Sequence, residues 1–401
     1  SFTDIVNIGI GGSYLPVLSA YEALYGYKAP HINLHFVANV DSISLKQTLE
    51  KTNPKTTLFV VASKTFTTKE TMLNACSAKR WLTKELGEEA VSKHFAAVST
   101  NLPEVKAFGI TEENTFGFWD FIGGRFSLWS AIGLPLVIAI GKDNFLDFLA
   151  GAKLVDNHFK EAPLQRNIPF IMAILTVIYR NFLGVSSEAV IPYCEYLSKF
   201  PLYLQQVAME SNGKAVNNKG EEVLFKTSPV IFGETGTNAQ HSFFQLLHQG
   251  SDIVPVDFIG FINTKGAVKE HQDMLVANLI AQSEALMIGK NKEAVTLELE
   301  KQKVSSEKIA ALLPHKIFKG ERPSTTLFFK ELTPKTLGML CALYEHKVFS
   351  LGILWQINSF DQYGVELGKE LADKILTEIN NSSEHQHDSS TEALVKFYKT
   401  S

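Results

Sequence analysis

Between Thr57 and Asn74 an unbroken apolar run passes straight into a cluster of polar side chains and then into a helical pattern, a junction that restricts the fold strongly. Leu58 to Ala62, with its two valines, reads as a strand buried on both faces. A helix follows from about Thr67, with no Gly or Pro to interrupt it. Between them, Ser63, Lys64, Thr65, Thr67 and Thr68 place four hydroxyls and one ammonium in six residues. A strand-to-helix turn directs free backbone N–H groups, and the positive end of the helix dipole, at its occupant. Hydroxyls beside those groups are short donors suited to a doubly charged oxyanion. The stretch therefore reads as a phosphate cradle. The plainer alternative is that Ser63 to Thr68 only cap the helix.

The same strand–turn–helix order opens the chain. Ile5 to Ile8 reads as a strand, Gly9 to Ser13 as a Gly-rich turn, and a helix runs through Leu24. In a dinucleotide fingerprint the third Gly would fall at Tyr14, so the fingerprint fails and a nicotinamide-dependent oxidoreductase is disfavoured. What remains is a turn that lets backbone approach a ligand, with Ser13 as a donor. Asn33 to Ala38 then reads as a strand and Ser42 to Lys51 as a helix. This alternation predicts an α/β fold on a parallel, doubly wound sheet, whose ligands bind beyond the strand C-termini. Both polar turns sit at such ends.

With 401 residues, 45% of them hydrophobic and 20% charged, the chain can build two or three domains around a large core. Its formal net charge of −4 gives no footprint for nucleic acid or an anionic membrane. Cys76, Cys194 and Cys341 are odd in number and far apart, against a disulfide framework or zinc knuckle and in favour of a reducing, cytoplasmic compartment. Phe126 to Gly141 and Ile168 to Leu183 are too short for membrane spans, carry Pro135 or Arg180, and read as buried helices. No signal-peptide pattern precedes Ile5, and an opening on a strand without Met reads as a fragment or a processed product.

Further along, Gly123-Gly124-Arg125-Phe126-Ser127 sits among aromatic residues. Arg125 reads as a surface turn residue or as a partly buried guanidinium with an anionic partner. Two helices over Lys153 to Gly184 lead to a new strand at Ala189 to Tyr193. The helix through Gln205 and Gln206 stops at Ser211-Asn212-Gly213, which places Glu210 at a helix end with Gln206 one turn earlier. Taken alone, Glu210 is one of 42 acidic residues and reads as solvated. A strand at Val230 to Phe232 leads through a polar turn to a helix over Ala239 to His248 that carries His241. No third ligand lies at metal-site spacing from His241 and His248. Strands at Asp252 to Phe261 and Thr325 to Phe329, and helices at Glu270 to Lys290, Lys292 to Leu313, Pro334 to Leu351 and Gly364 to Leu376, complete the body. Gln362 falls on a turn. Lys369, in the last helix, by itself reads as solvated surface, as do His385 and His387.

Taken in order, the motifs resemble the glucose-6-phosphate isomerase family. They are Gly-Ile-Gly-Gly-Ser at 9 to 13, Ser-Lys-Thr-Phe-Thr-Thr at 63 to 68, Gly-Gly-Arg-Phe-Ser at 123 to 127, Met-Glu-Ser-Asn-Gly-Lys at 209 to 214, Gly-Thr-Asn-Ala-Gln-His at 236 to 241, and Phe-Asp-Gln-Tyr-Gly-Val-Glu-Leu-Gly-Lys at 360 to 369. His387 to Thr391 extends the similarity into the tail. The resemblance implies two sugar-isomerase (SIS) domains, each a mainly parallel sheet flanked by helices in a three-layer sandwich. On this chain the first would cover residues 1–150 and the second, with linking helices, 151–370, leaving 371–401 as a helical tail. It also implies interconversion of D-glucose 6-phosphate and D-fructose 6-phosphate through a cis-enediolate, in glycolysis and gluconeogenesis. No metal or organic cofactor is implied, and the protein would be a homodimer with shared active sites. Carried over by motif, Ser63, Lys64, Thr65 and Thr68 would hold the phosphate, with Gly12 and Ser13 near the sugar. Glu210 would be the base, Arg125 would stabilise the enediolate, and His241 and Lys369 would open the ring. Gln206 and Gln362 would position the substrate.

These residue types suit the chemistry. Proton abstraction beside a carbonyl needs a carboxylate that works in both directions, and the resulting oxyanion needs a preorganised positive group. A non-catalytic sugar-phosphate sensor on the same fold is the alternative. It would need the cradle, but not Glu210, Arg125, His241 and Lys369 together. The chain departs from the family pattern in lacking a long helical segment before the Gly-rich turn. Tyr14 stands for an Asp, the Gly before Pro16 is missing, and Thr235 stands for a Pro, so altered geometry is expected in those turns.

Overall fold

The computed structural model describes residues 1–380 and 386–401. Strands β1 (Asp4–Ile8), β2 (Asn33–Val37), β3 (Thr57–Ala62), β4 (Phe95–Val98) and β5 (Thr115–Phe116) form an all-parallel sheet in the order β2-β1-β3-β4-β5. Alternate side chains enter opposite layers. Ile5, Val60 and Ala62 join one apolar core, while Val6, Ile8, Phe59 and Val61 join another. Every residue of β1 is buried, as expected of a parallel strand covered on both faces. The strand order reverses between β1 and β3, so their C-terminal ends splay into a crevice. Ile8 and Val61 pair there, which brings the Gly-rich turn and the cradle side by side.

Strands β6 (Ser187–Pro192), β7 (Val230–Phe232), β8 (Val256–Asn263) and β9 (Ser324–Glu331) form a second all-parallel sheet, ordered β7-β6-β8-β9. It has the same reversal, between β6 and β8. Val190, Ile259 and Phe261 of this sheet share one core cluster with Ile5 and Val60 of the first, so the chain builds one continuous apolar interior across both.

The helix Pro334–Leu354 runs through this interior. It is long and apolar enough to cross a bilayer, yet most of it is buried in the protein, as in a core helix. It crosses Lys142–Glu161 at two glycines. A Cβ on Gly151 would lie 1.9 Å from the Lys335 carbonyl oxygen, and one on Gly338 would lie 1.9 Å from that of Phe148. Only glycine permits backbones this close.

Several expected elements differ in detail. Ala239 to His248 is two short helices, Gly236–Gln240 and Phe244–Gln249, with His241 in the break. Lys292 to Leu313 divides into Lys292–Lys301 and Ser306–Lys316, because Lys303 takes a left-handed conformation (φ 58°) that an α-helix cannot continue through. Within Phe126 to Gly141 only Leu134–Ile140 is α-helical. Ile168 to Leu183 is an α-helix, Ile168–Val177, extended by a π-turn, and is buried on one face only; Ile171, Phe182 and Leu183 are exposed. His387 is not solvated. Its Nε2 lies 3.0 Å from Glu378 Oε2, because the helix Ser389–Thr400, capped by Asp388, folds back on Glu366–Asn380. His385 lies outside the described residues.

The departures at the turns are accommodated. Asn7 Nδ2 donates to the Ser13 carbonyl (3.1 Å) and closes the Gly-rich turn, while Tyr14 rests edge-on against Phe36. Thr235 uses the N–H that a Pro lacks, donating it to Glu234 Oε1 at 2.7 Å.

Gly151→Ala and Gly338→Ala should each destabilise the protein by roughly 1–3 kcal/mol through overpacking, read as a lower urea midpoint. Parental stability in either variant would mean that the helix crossing gives way more easily than its backbone contacts allow.

Candidate active site

Arg125 stands at the centre of a hydrogen-bond cluster drawn from three distant segments. It is presented by a short turn, Gly124–Phe126, and is only 3% exposed. A guanidinium has five N–H donors in a planar fork, and here each finds an acceptor. Nε donates to Ser211 Oγ (2.7 Å). One terminal nitrogen donates to Glu210 Oε2 (3.0 Å) and Gln362 Oε1 (3.3 Å). The other donates to the carbonyls of Ser359 (2.6 Å) and Asp361 (3.1 Å). Burial pulls the guanidinium below its usual pKa and the facing Glu210 opposes this; a group that starts so high remains charged.

Glu210 is not a solvated acid. Its side chain is 24% exposed and ion-paired to Arg125. It ends a π-turn, Gln206–Glu210, an irregularity that often marks functional positions. Gln206 Nε2 donates to Glu210 Oε2 at 3.2 Å. Lys214 Nζ donates to the Glu210 carbonyl (2.8 Å) and the Asp361 carbonyl (2.9 Å), tying the end of this helix to the loop of Gln362. Glu210, Lys214 and Gln362 line one cavity of about 530 Å³.

The Gly-rich turn lies against this cluster. A Cβ on Gly12 would come within 2.0 Å of Gly124 C and 2.5 Å of Arg125 N, so the absence of a side chain there fixes how closely the Arg125 turn approaches. Ser127 Oγ donates to the Gly12 carbonyl at 3.3 Å.

At the cradle, Phe66 holds a left-handed backbone (φ 54°) with its ring buried against Phe108, a strained position typical of a binding loop. Thr68 occupies the N-cap of Lys69–Leu86, yet its side chain makes no capping bond. Its Oγ1 instead lies 3.3 Å from Ser63 Oγ. The plain capping alternative is therefore not how this turn is built, and its first-turn N–H groups stay clear of Thr68. Thr65 Oγ1 accepts from Thr67 Oγ1 at 2.9 Å. Lys64 Nζ donates to the carbonyls of Asp120 (2.8 Å) and Ile122 (3.3 Å), which joins the cradle to the loop that leads into Arg125.

Lys369 is exposed on Glu366–Asn380. One turn beyond it, Asp373 pairs with Lys69, the first residue of the cradle helix, at 2.5 Å, so the helix of Lys369 reaches the cradle. His241 stands apart. It is exposed and lines a different cavity, of about 610 Å³, with Glu195, Thr264 and His271 beyond the C-terminal ends of β6 and β8.

Ser211, Lys214, Ser359 and Asp361 were not among the residues expected here. Ser211 and Lys214 lie inside a motif already singled out. Ser359 and Asp361 act on Arg125 through backbone carbonyls, which leave no mark on residue type.

A family model described as phosphoglucose isomerase matches residues 1–395. The glucose-6-phosphate isomerase of Methylocella silvestris is 54% identical over 393 residues, covering 98% of this chain and 71% of that protein. That of Christiangramia forsetii is 51% identical over 398 residues, covering 99% and 73%. Among solved structures, a glucose-6-phosphate isomerase from Chlamydia trachomatis superposes with a TM-score of 0.86 at 38% identity, covering 100% of this chain and 73% of that one.

Arg125→Met keeps much of the side-chain length but leaves Glu210 and two backbone carbonyls without their donor. Stability should fall by roughly 3–5 kcal/mol, as when one partner of a buried ion pair is removed. A loss below about 1 kcal/mol in urea denaturation, the value of an exposed pair, would show that the cluster does not hold its three segments together.

Proposed function

The chain belongs to the phosphoglucose isomerase family, and from that membership we propose which of its residues interconvert glucose 6-phosphate and fructose 6-phosphate. Glu210 removes the proton from C2 of the opened sugar and returns it to C1. Arg125 stabilises the negative oxygen of the cis-enediolate. The Arg125 bond to Gln362 is the longest of its five, and the enediolate oxygen shares or replaces it. Gln206 orients the Glu210 carboxylate, and Gln362 positions the substrate. Ser63, Lys64, Thr65 and Thr68 hold the phosphate, with Gly12 and Ser13 against the sugar. Lys369 and His241 exchange protons with the ring oxygen and the C1 hydroxyl during ring opening.

The observation that carries this assignment is the 3.0 Å contact between Arg125 and Glu210. A phosphate-binding sensor has no use for a carboxylate paired with a fully engaged guanidinium. An isomerase needs that pair, since the carboxylate carries the proton while a fixed cation meets the charge it creates.

His241 supports a homodimer with shared sites, because within one chain it lines a cavity that does not include Glu210. In this reading a second copy brings its His241 to the Arg125–Glu210 cluster, and two-fold symmetry completes both sites. The same reading treats residues 1–150 and 151–370 as two units with a tail at 371–401. It places the protein in the cytoplasm, in keeping with three unpaired cysteines.

Glu210→Gln keeps the shape and removes the base. Turnover of glucose 6-phosphate should fall about a hundred- to ten-thousand-fold, and exchange of the C2 proton with deuterated water should fall in parallel. Exchange at the parental rate would assign the base elsewhere.

Glu210→Gln and His241→Ala should each be nearly inactive alone. Refolded together, about half of the dimers are mixed, each with one intact site of two, so activity should recover to about a quarter of the parental value. No recovery, despite demonstrated subunit exchange, would put both groups on one chain.

A further inference from the structure

Glu345 lies on the core helix Pro334–Leu354, outside the Arg125 cluster, and has no part in the reaction as described. Its two carboxylate oxygens are nevertheless both engaged. Trp129 Nε1 donates to Oε2 at 2.8 Å and the Tyr203 hydroxyl to Oε1 at 2.7 Å. Trp129 follows Arg125 by four residues and is stacked on Phe148 of the crossing helix, with ring centres 4.6 Å apart. Tyr203 is buried in Phe200–Gln205, the helix that runs directly into the π-turn ending at Glu210. One carboxyl group thus joins the segment that presents Arg125 to the helix that presents Glu210.

We propose that Glu345 is a positioning residue for proton transfer, setting the separation of Arg125 and Glu210 through Trp129 and Tyr203. The inference rests on the roles given to those two groups above. The 3.0 Å contact joins Arg125 and Glu210 to each other, and the two Glu345 bonds add a tie from both segments to one core helix. Glu345, on a largely buried helix, supplies that common anchor.

The donors explain why a carboxyl suits this place. Indole N–H can only donate, so it needs an oxygen that always accepts; the tyrosine hydroxyl can donate or, turned over, accept. A carboxyl keeps both bonds whether ionised or protonated. That matters because burial pushes the Glu345 carboxyl up to about 7, opposed by the bonds from Tyr203 and Trp129 and reinforced by Asp156. The other ionisable groups facing it are Cys341 on its own helix, and Lys153 and His346, which line the same cavity, His346 being paired to Asp156 at 2.7 Å. Between the ordinary glutamate value and about 7, the folded protein holds a proton that the unfolded chain has released. Stability from this group is therefore fully present below the ordinary value and is lost as pH rises through about 7.

The test compares Glu345→Leu with Glu345→Gln in the full chain. Leu removes both bonds, so kcat should fall about ten- to a hundred-fold while KM for glucose 6-phosphate stays near the parental value, since the cradle is untouched. Gln mimics the protonated acid, accepting from Trp129 and donating to Tyr203, and should restore most of kcat. It should also abolish the part of the stability loss between about pH 5 and 7 that Glu345 contributes. Parental kcat in a folded Glu345→Leu protein, or equal loss in both variants, overturns the proposal. Should Glu345→Leu fail to fold, Tyr203→Phe and Trp129→Phe combined remove the same two bonds, with the same outcomes expected. An inactive parental chain would overturn the proposed function itself, whereas an active parent with an unaffected Glu345→Leu overturns only this inference.

Discussion

A buried guanidinium is tolerable only if its charge is met and its donors are filled, and Arg125 meets both conditions by joining three parts of the chain, its own turn, 210–211 and 359–362. The requirement works in both directions. Arg125 needs Glu210, Ser211 and the carbonyls at 359 and 361, and those groups are held in place because it is there. A lysine could not do this, since its three donors radiate from one atom and cannot reach acceptors spread around a plane. On the roles proposed above, the consequence is preorganisation, with a fixed cation and a carboxylate in contact before substrate arrives.

The sheets determine where this cluster can form. In the first, the reversal between β1 and β3 opens a crevice at the C-terminal ends of both strands, and the two polar turns occupy its rim. Gly12 lets the Arg125 turn seat directly on that rim, and Lys64 ties the cradle to the same loop. The second sheet repeats the topology, but its crevice, between β6 and β8, receives His241 instead. One chain therefore carries two crevices of the same kind with different contents. Glu210 and the turn proposed to hold the phosphate belong to the first crevice, and His241 to the second.

Much of this was legible in the residues. Short apolar runs marked most of the strands, because a strand covered on both faces of a parallel sheet leaves little choice of residue type. The hydroxyl-rich turn after β3 stood out by its composition, though composition alone left a phosphate cradle and a plain helix cap both open. Breaks within helices were less legible. Lys292 to Leu313 has no Gly or Pro, so nothing in its composition signals that Lys303 leaves the helical region. The interruption at His241 was hidden in the same way. His387 looked solvated because its neighbours are polar, and only the return of the last helix onto Glu366–Asn380 gives it Glu378 as a partner.

What the sequence determined by itself is the inventory and its local setting: which strands alternate with which helices, which turns carry hydroxyls, and which motifs hold Glu210, Arg125, His241 and Lys369. Those properties depend on a few neighbouring residues, so a linear pattern can express them. Tertiary structure decided who meets whom. Arg125 and Glu210 are 85 residues apart, and Arg125 and Gln362 are 237 apart. Their contact depends on two sheets sharing one core, and on two glycines letting the central helices cross at backbone distance. The separation of His241 from Glu210 within one chain was decided at the same level. Sequence spacing leaves it open, and only the relative placement of the two crevices sets it.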